Sequence, residues 1–187
     1  MSDTPVQAAA KNLDIKEVIR GRRTIKKFQE QPVPVEKITE FLDTAVWAPN
    51  HKLREPWRFL LFREEGRQKL SEAIAAEMGE DNKFVTTVLN VPTIMLVVMK
   101  EDPRQAIFDE DFAATSALVQ NFMLAAWAEE VGTFWVTKPF LYGPKFRETL
   151  GIVPGEKIVG MLYIGYPDVV PKPQERTPAS EKLTLFK

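Results

Sequence analysis

The chain has 187 residues, 44% of them hydrophobic and 27% charged, a size and balance that suit one globular domain with a sizeable core. Its 25 Lys and Arg oppose 26 Asp and Glu, so no global field draws it to nucleic acid or to an anionic membrane. The absence of cysteine excludes disulfides, thiolate nucleophiles, zinc ribbons and iron–sulfur ligation.

Residues 1–12 read as a loose arm with neither the basic start nor the apolar core of a signal peptide. No uncharged apolar stretch reaches membrane-spanning length, so the expectation is a soluble, cytoplasmic protein. From Asp14, a plausible N-cap, Ile15, Val18 and Ile19 recur at helical spacing until Gly21. A second stripe (Val35, Ile38, Phe41, Leu42, Ala45, Val46) predicts another helix, closed by Pro49.

Residues 57–62 ("WRFLLF") read as a strand, 64–79 as an exposed helix and 81–89 as a shorter one. The run "VPTIMLVVMK" (91–100) is a strand suited to a sheet covered on both faces. Residues 104–131 carry the longest helical pattern, apolar on nearly every side from Ala117, with Gly132 as the expected C-cap. Two further strands follow, in "TFWVT" and "KIVGMLYIGYP", with a short helix near 143–150 between them. After Pro167 the tail to residue 187 carries Pro171, Pro173 and Pro178 and ends in "KLTLFK", an extended segment expected to lie on another surface, of this chain or of a partner. Alternating helices and strands argue for a single α/β or α+β layered domain.

Three segments draw attention. "GRRTIKKF" (21–28) is either a phosphate clamp, with Arg forks and a Thr hydroxyl, or a solvated basic patch. "APNHKLREPWRF" (48–59) holds the only histidine, His51, either an acid/base or ring-edge donor or a loop histidine bonded to backbone. With no second histidine and no cysteine a metal site is not expected, and no G-x-S-x-G elbow is present. "GTFWVTKP" (132–139) places Trp135 where it caps a core or stacks beside a flat ligand. Neither a G-x-G-x-x-G fingerprint nor a G-x-x-x-x-G-K-[ST] loop occurs, so a nicotinamide cofactor would not sit on a Rossmann domain.

Taken in order, "RRT", "APNHKLREPWRF", "AATSALVQNFMLAAWAEEVGTFW" and "KIVGMLYIGYP" resemble the nitroreductase family of FMN-dependent oxidoreductases over residues 14–178, and its short, compact branch most. The resemblance implies an α+β, three-layer fold with a central, mostly antiparallel sheet flanked by helices. It also implies a homodimer with two FMN in the subunit interface. By the same resemblance Arg22, Arg23 and Thr24 hold the FMN phosphate, joined by Arg176, and Lys26 lies near the ring. Trp47, Asn50 and His51 cross to the partner subunit's cofactor, while Trp135, Val136 and Thr137 pass by the ring on the other side. Trp47 stands where the family often has Ala or a basic residue, and Thr24 where Ser is commoner.

The activity so implied is ping-pong transfer of hydride from NADH or NADPH, through flavin N5, to a small acceptor such as a nitroaromatic or quinone. No residue is an obligatory acid or base, although His51 can donate a proton. Two rivals are a flavin-binding module without NAD(P)H turnover and a related flavoenzyme with a different acceptor.

Overall fold

The computed structural model describes residues 14–186, so the arm expected over residues 1–12 lies outside the described residues. Helix α1 (Ile15–Gly21) begins where the Asp14 carboxylate accepts the Lys16 N–H at 3.0 Å. It buries only Val18: Ile15 and Ile19 remain 59% and 52% exposed, so two of the three residues of its apolar stripe are left uncovered by this chain's core. Helix α2 (Val35–Ala45) buries Ile38, Phe41 and Ala45 and stops ahead of Pro49.

Four strands, β1 (Trp57–Arg63), β2 (Thr93–Lys100), β3 (Gly132–Val136) and β4 (Glu156–Gly165), form one sheet in the order β1-β2-β4-β3. Every pairing is antiparallel. The central strands β2 and β4 are buried on both faces because helices cover both. On one face lie α2 and α5 (Gln105–Ala128), where Phe41 meets Phe122 edge-on with centroids 6.0 Å apart. On the other lie α3 (Gly66–Met78), α4 (Lys83–Thr87) and α6 (Pro144–Thr149), around Phe140 and Phe146. The fold is α+β in three layers, as the sequence led one to expect.

Two local expectations are corrected. The helix read as exposed, α3, buries Leu70, Ser71, Ala73 and Ile74, and the Ser71 hydroxyl donates to the Val85 carbonyl at 2.7 Å. Gly132 is not a helix cap. The turn after α5 is made by Glu130 at φ 63°, and Gly132 opens β3. A Cβ at Gly132 would lie 2.5 Å from Ile25 Cγ1, so glycine is required for close backbone approach.

The segment after α1 is fixed from two sides. Ile25 N–H bonds the Thr133 carbonyl on β3 at 3.0 Å, and Gln29 N–H bonds the Tyr166 carbonyl beyond β4 at 2.9 Å. The tail then runs extended, tied by a Phe28–Pro167 bridge and an Asp168 N–H to Lys27 carbonyl bond of 3.0 Å. From Asp168 to Phe186 every residue is exposed, including Leu183, Leu185 and Phe186. No helix among the described residues is long and apolar enough to cross a membrane.

Candidate active site

The tethered segment 22–27 forms one wall of a cavity of about 1040 Å³. Of the residues predicted for a site, it brings together Arg22, Arg23, Thr24, Lys26 and, from the tail, Arg176. The last turn of α1 adds Arg20, the tethered segment Lys27 and the tail Lys172, which makes seven cations and no carboxylate among the described lining residues. Phe134 on β3 supplies an aromatic wall, with Lys26 Nζ 5.9 Å from its ring centroid.

Arg22 is the key to the electrostatics. It is half-buried, and no carboxylate of the described residues lies within salt-bridge range of it. Burial, then the Arg23 and Arg176 charges, push its guanidinium below the usual arginine range. A half-buried cation beside like charges is relieved by an anion. Arg23 spends Nη1 on the Arg20 and Arg22 carbonyls at 2.7 and 2.8 Å, which fixes its fork in place. Arg176 likewise anchors Nη1 on the Gln174 and Glu175 carbonyls. Such prepositioned forks suit a phosphate monoester, so the residues present fit the phosphate end of FMN.

The other expected residues lie elsewhere on the chain. Trp47 is 86% exposed after α2. His51 opens a short 3-10 turn, His51–Leu53, in a loop whose Lys52, Leu53 and Glu55 all have positive φ (52°, 51° and 44°). Such backbone costs about 1–3 kcal/mol per residue and persists only where its surroundings enforce it.

The enforcement is visible. Asn50 Oδ1 accepts the Glu55 N–H at 3.0 Å, and its Nδ2 donates to the Ala48 carbonyl at 3.2 Å. Arg54 Nε and Nη2 grip the Asp111 carboxylate on α5 at 3.0 and 2.9 Å, and that carboxylate is 1% exposed. Arg54 Nη2 also reaches Asp102 at 3.1 Å, and Asp102 is held in turn by Arg104. The Arg104 fork and backbone N–H, with the Arg54 charge, keep Asp102 far below the usual carboxylate range. His51 itself is exposed, with Nδ1 3.7 Å from Glu110 Oε2. Within one chain this rigid, outward-facing loop and the cationic cavity do not share a lining.

On β3, Trp135 is half-buried with Nε1 lacking a hydrogen-bond partner among the described residues, and it lies against Gly160 of β4 so closely that any Cβ there would overlap its ring. Val136 turns its side chain into the core, leaving only its main chain for a ligand, whereas Thr137 is exposed.

Sequence reasoning included Lys27 in the basic cluster 21–28 but missed Arg20, Phe134 and Lys172 as lining residues. The Pro-Lys-Pro run at 171–173 was the available signal, since flanking prolines hold a lysine in extended chain. Arg54 was missed too, although an Arg within a proline-bounded loop was in view. Its partner Asp111 lies 57 residues away and only folding joins them.

Comparison with known proteins places this geometry. The family model described as Nitroreductase family matches residues 19–166. A Bacillus subtilis (strain 168) protein named "Putative NAD(P)H nitroreductase YfhC" is 37% identical over 180 residues, covering 91% of this chain and 93% of that one. The crystal structure of a nitroreductase-like family protein from Bacillus cereus superposes with a TM-score of 0.91 at 39% identity, covering 96% of this chain and all (100%) of that one. A nitroreductase structure in complex with FMN, from Desulfovibrio desulfuricans, shares the fold with a TM-score of 0.75 at 24% identity, covering 95% and 99% of the two chains. The cationic cavity beside β3, the strained histidine loop and the sheet order therefore sit in a chain that belongs to the nitroreductase family.

Proposed function

We propose that the protein is an FMN-dependent oxidoreductase that uses NADH or NADPH to reduce a small acceptor such as a nitroaromatic or a quinone. One observation carries the reading: a cavity lined by cations and no described carboxylate, with half-buried Arg22 lacking a counter-ion among the described residues. The family membership and the FMN complex of a structural neighbour support it.

When bound, FMN supplies the redox centre, accepting hydride at N5 from the nicotinamide and passing electrons to the acceptor in ping-pong order. Arg22, Arg23, Thr24 and Arg176 hold the phosphate with charge-assisted hydrogen bonds. Lys26 puts positive charge beside the ring, where negative charge develops. The protein acts as a homodimer in which Trp47, Asn50 and His51 complete the cofactor site of the other subunit. An outward loop with 86%-exposed Trp47 and 80%-exposed Leu53 is the surface such a role requires. His51 is the one imidazole of the chain and the candidate proton donor of that loop.

The test is equilibrium titration of apoprotein with FMN, followed by quenching of flavin fluorescence. Arg22→Ala is expected to weaken binding by about ten- to hundredfold, the range for losing a charge-assisted bond. His51→Ala is expected to leave phosphate-driven affinity within about threefold while changing the spectrum of the bound ring. Equal affinity in wild type and Arg22→Ala overturns the assignment.

A further inference from the structure

The cavity carries more positive charge than one FMN phosphate uses. A phosphate monoester brings about two negative charges near neutral pH, and Arg22, Arg23 and Arg176 with the Thr24 hydroxyl already form a complete grip on one. Four cations remain on the same cavity: Arg20, Lys26, Lys27 and Lys172. No described carboxylate lines it to offset them, although the chain as a whole is nearly neutral. The excess is therefore local and directional. It is also built in. Lys172 is held between Pro171 and Pro173, and Lys27 lends its carbonyl to the Asp168 N–H, so both residues line the cavity from constrained backbone.

The geometry points to NADPH, rather than NADH, as the electron donor, with Lys172, Lys27 and Arg20 as the field that selects the 2′-phosphate. This rests on the flavin reading above and extends it to the donor. The charge balance decides between the two dinucleotides. Bound FMN and NADH bring about four negative charges, from the monoester and the pyrophosphate, and NADPH brings about two more. Seven cations leave a surplus of about three over the first pair and about one over the second. A surplus on a concave surface concentrates the more highly charged ligand and speeds its arrival, and salt weakens the preference. No bidentate arginine pocket for the ribose is required, which accounts for the lack of a sequence motif reading it.

The experiment first loads the protein with FMN and desalts it, then titrates the holoprotein with NADP⁺ and with NAD⁺, reading the visible difference spectrum of the flavin. Measurements at about 20 mM and about 500 mM salt bracket the Debye screening range. NADP⁺ is expected to bind at least about tenfold tighter than NAD⁺ at low salt, with the ratio collapsing toward one at high salt. Lys172→Gln is expected to cut the low-salt ratio by about threefold or more, an effect that a merely structural lysine would not have. Lys145→Gln, on α6 and outside the cavity, is the charge-matched control and leaves the ratio unchanged. Retained flavin with equal affinities, or with a preference indifferent to salt and to Lys172, overturns the donor assignment and leaves the flavin reading standing. Failure to retain flavin overturns both.

Discussion

At the scale of single residues, two arginines in similar sequence surroundings do opposite work. Arg54 is fully engaged, its fork closed on buried Asp111 and on Asp102. Arg22 faces Arg23 and Arg176 and loses solvation without gaining a counter-ion among the described residues. Their substitutions should differ in sign. In the apoprotein, Arg22→Ala is expected to leave the Tm unchanged or raise it, since it removes like-charge repulsion, while weakening FMN binding. Arg54→Ala strands the Asp111 carboxylate in the core and is expected to lower the Tm and to speed amide exchange at 51–55. A stabilised Arg54→Ala or a destabilised apo Arg22→Ala, both read by thermal melts, would contradict this division. The basic cluster and the histidine loop were legible in the sequence because each is continuous. The Arg54–Asp111 pair, and the joining of Lys172 from the tail to the basic cluster in one cavity, were not, because they depend on contacts between separate elements.

At the scale of elements, periodicity reported where helices and strands lie, and neighbours decided which face they bury. The helix that reads as apolar all round, α5, buries one face, Leu118, Val119, Phe122, Met123 and Ala126, against α2 and the sheet, and leaves Leu124 and Trp127 on its other side only half-buried. Two of the three stripe residues of α1 stay uncovered, because an amphipathic pattern says that a face wants cover and not which surface supplies it. Glycines carried information that propensity rules misread. Gly132 and Gly160 are there for contact, the first against Ile25 and the second against Trp135. Gly160→Ala is accordingly expected to displace Trp135 and alter the near-UV circular dichroism, with flavin affinity falling alongside. An unchanged spectrum would show that β3 and β4 can part enough to absorb the methyl.

Two strand residues contribute to the pH dependence of stability. Tyr163, whose buried hydroxyl has no hydrogen-bond partner among the described residues, is pushed up to about 12 by burial from a usual 10.0. Its neutral form favours the folded state, so its contribution is intact below pH 10 and is lost as pH rises from about 10 to 12. That is about 2–3 kcal/mol at one decade per 1.36 kcal/mol. Glu156, hydrogen-bonded by Arg58, lies below its usual 4.5, so its contribution is present above that value and fades as pH falls below it. Tyr163→Phe is expected to flatten the alkaline limb of a Tm–pH profile and leave the acid limb in place.

At the scale of the whole molecule, the chain leaves much apolar surface uncovered: Ile15 and Ile19 on α1, Trp47 and Leu53 beside the histidine loop, and Leu183, Leu185 and Phe186 on the tail. These are the groups that the homodimer proposed above is expected to cover as it brings the loop of one subunit to the cavity of the other. Ending the chain after Lys182 removes Leu183, Leu185 and Phe186 and is expected to shift the light-scattering mass toward the monomer and to weaken flavin retention together. A truncated dimer with full flavin content would assign the tail elsewhere. The central claim, that this cationic cavity serves flavin redox chemistry, is tested most directly by one spectrum. Purified protein is incubated with FMN, desalted, made anaerobic and mixed with NADPH while the visible flavin band is followed. Retained flavin whose band bleaches within the mixing experiment, and returns when a quinone is added, is the predicted result. Protein that emerges from desalting colourless, or that keeps a band NADPH and NADH both leave untouched, contradicts it.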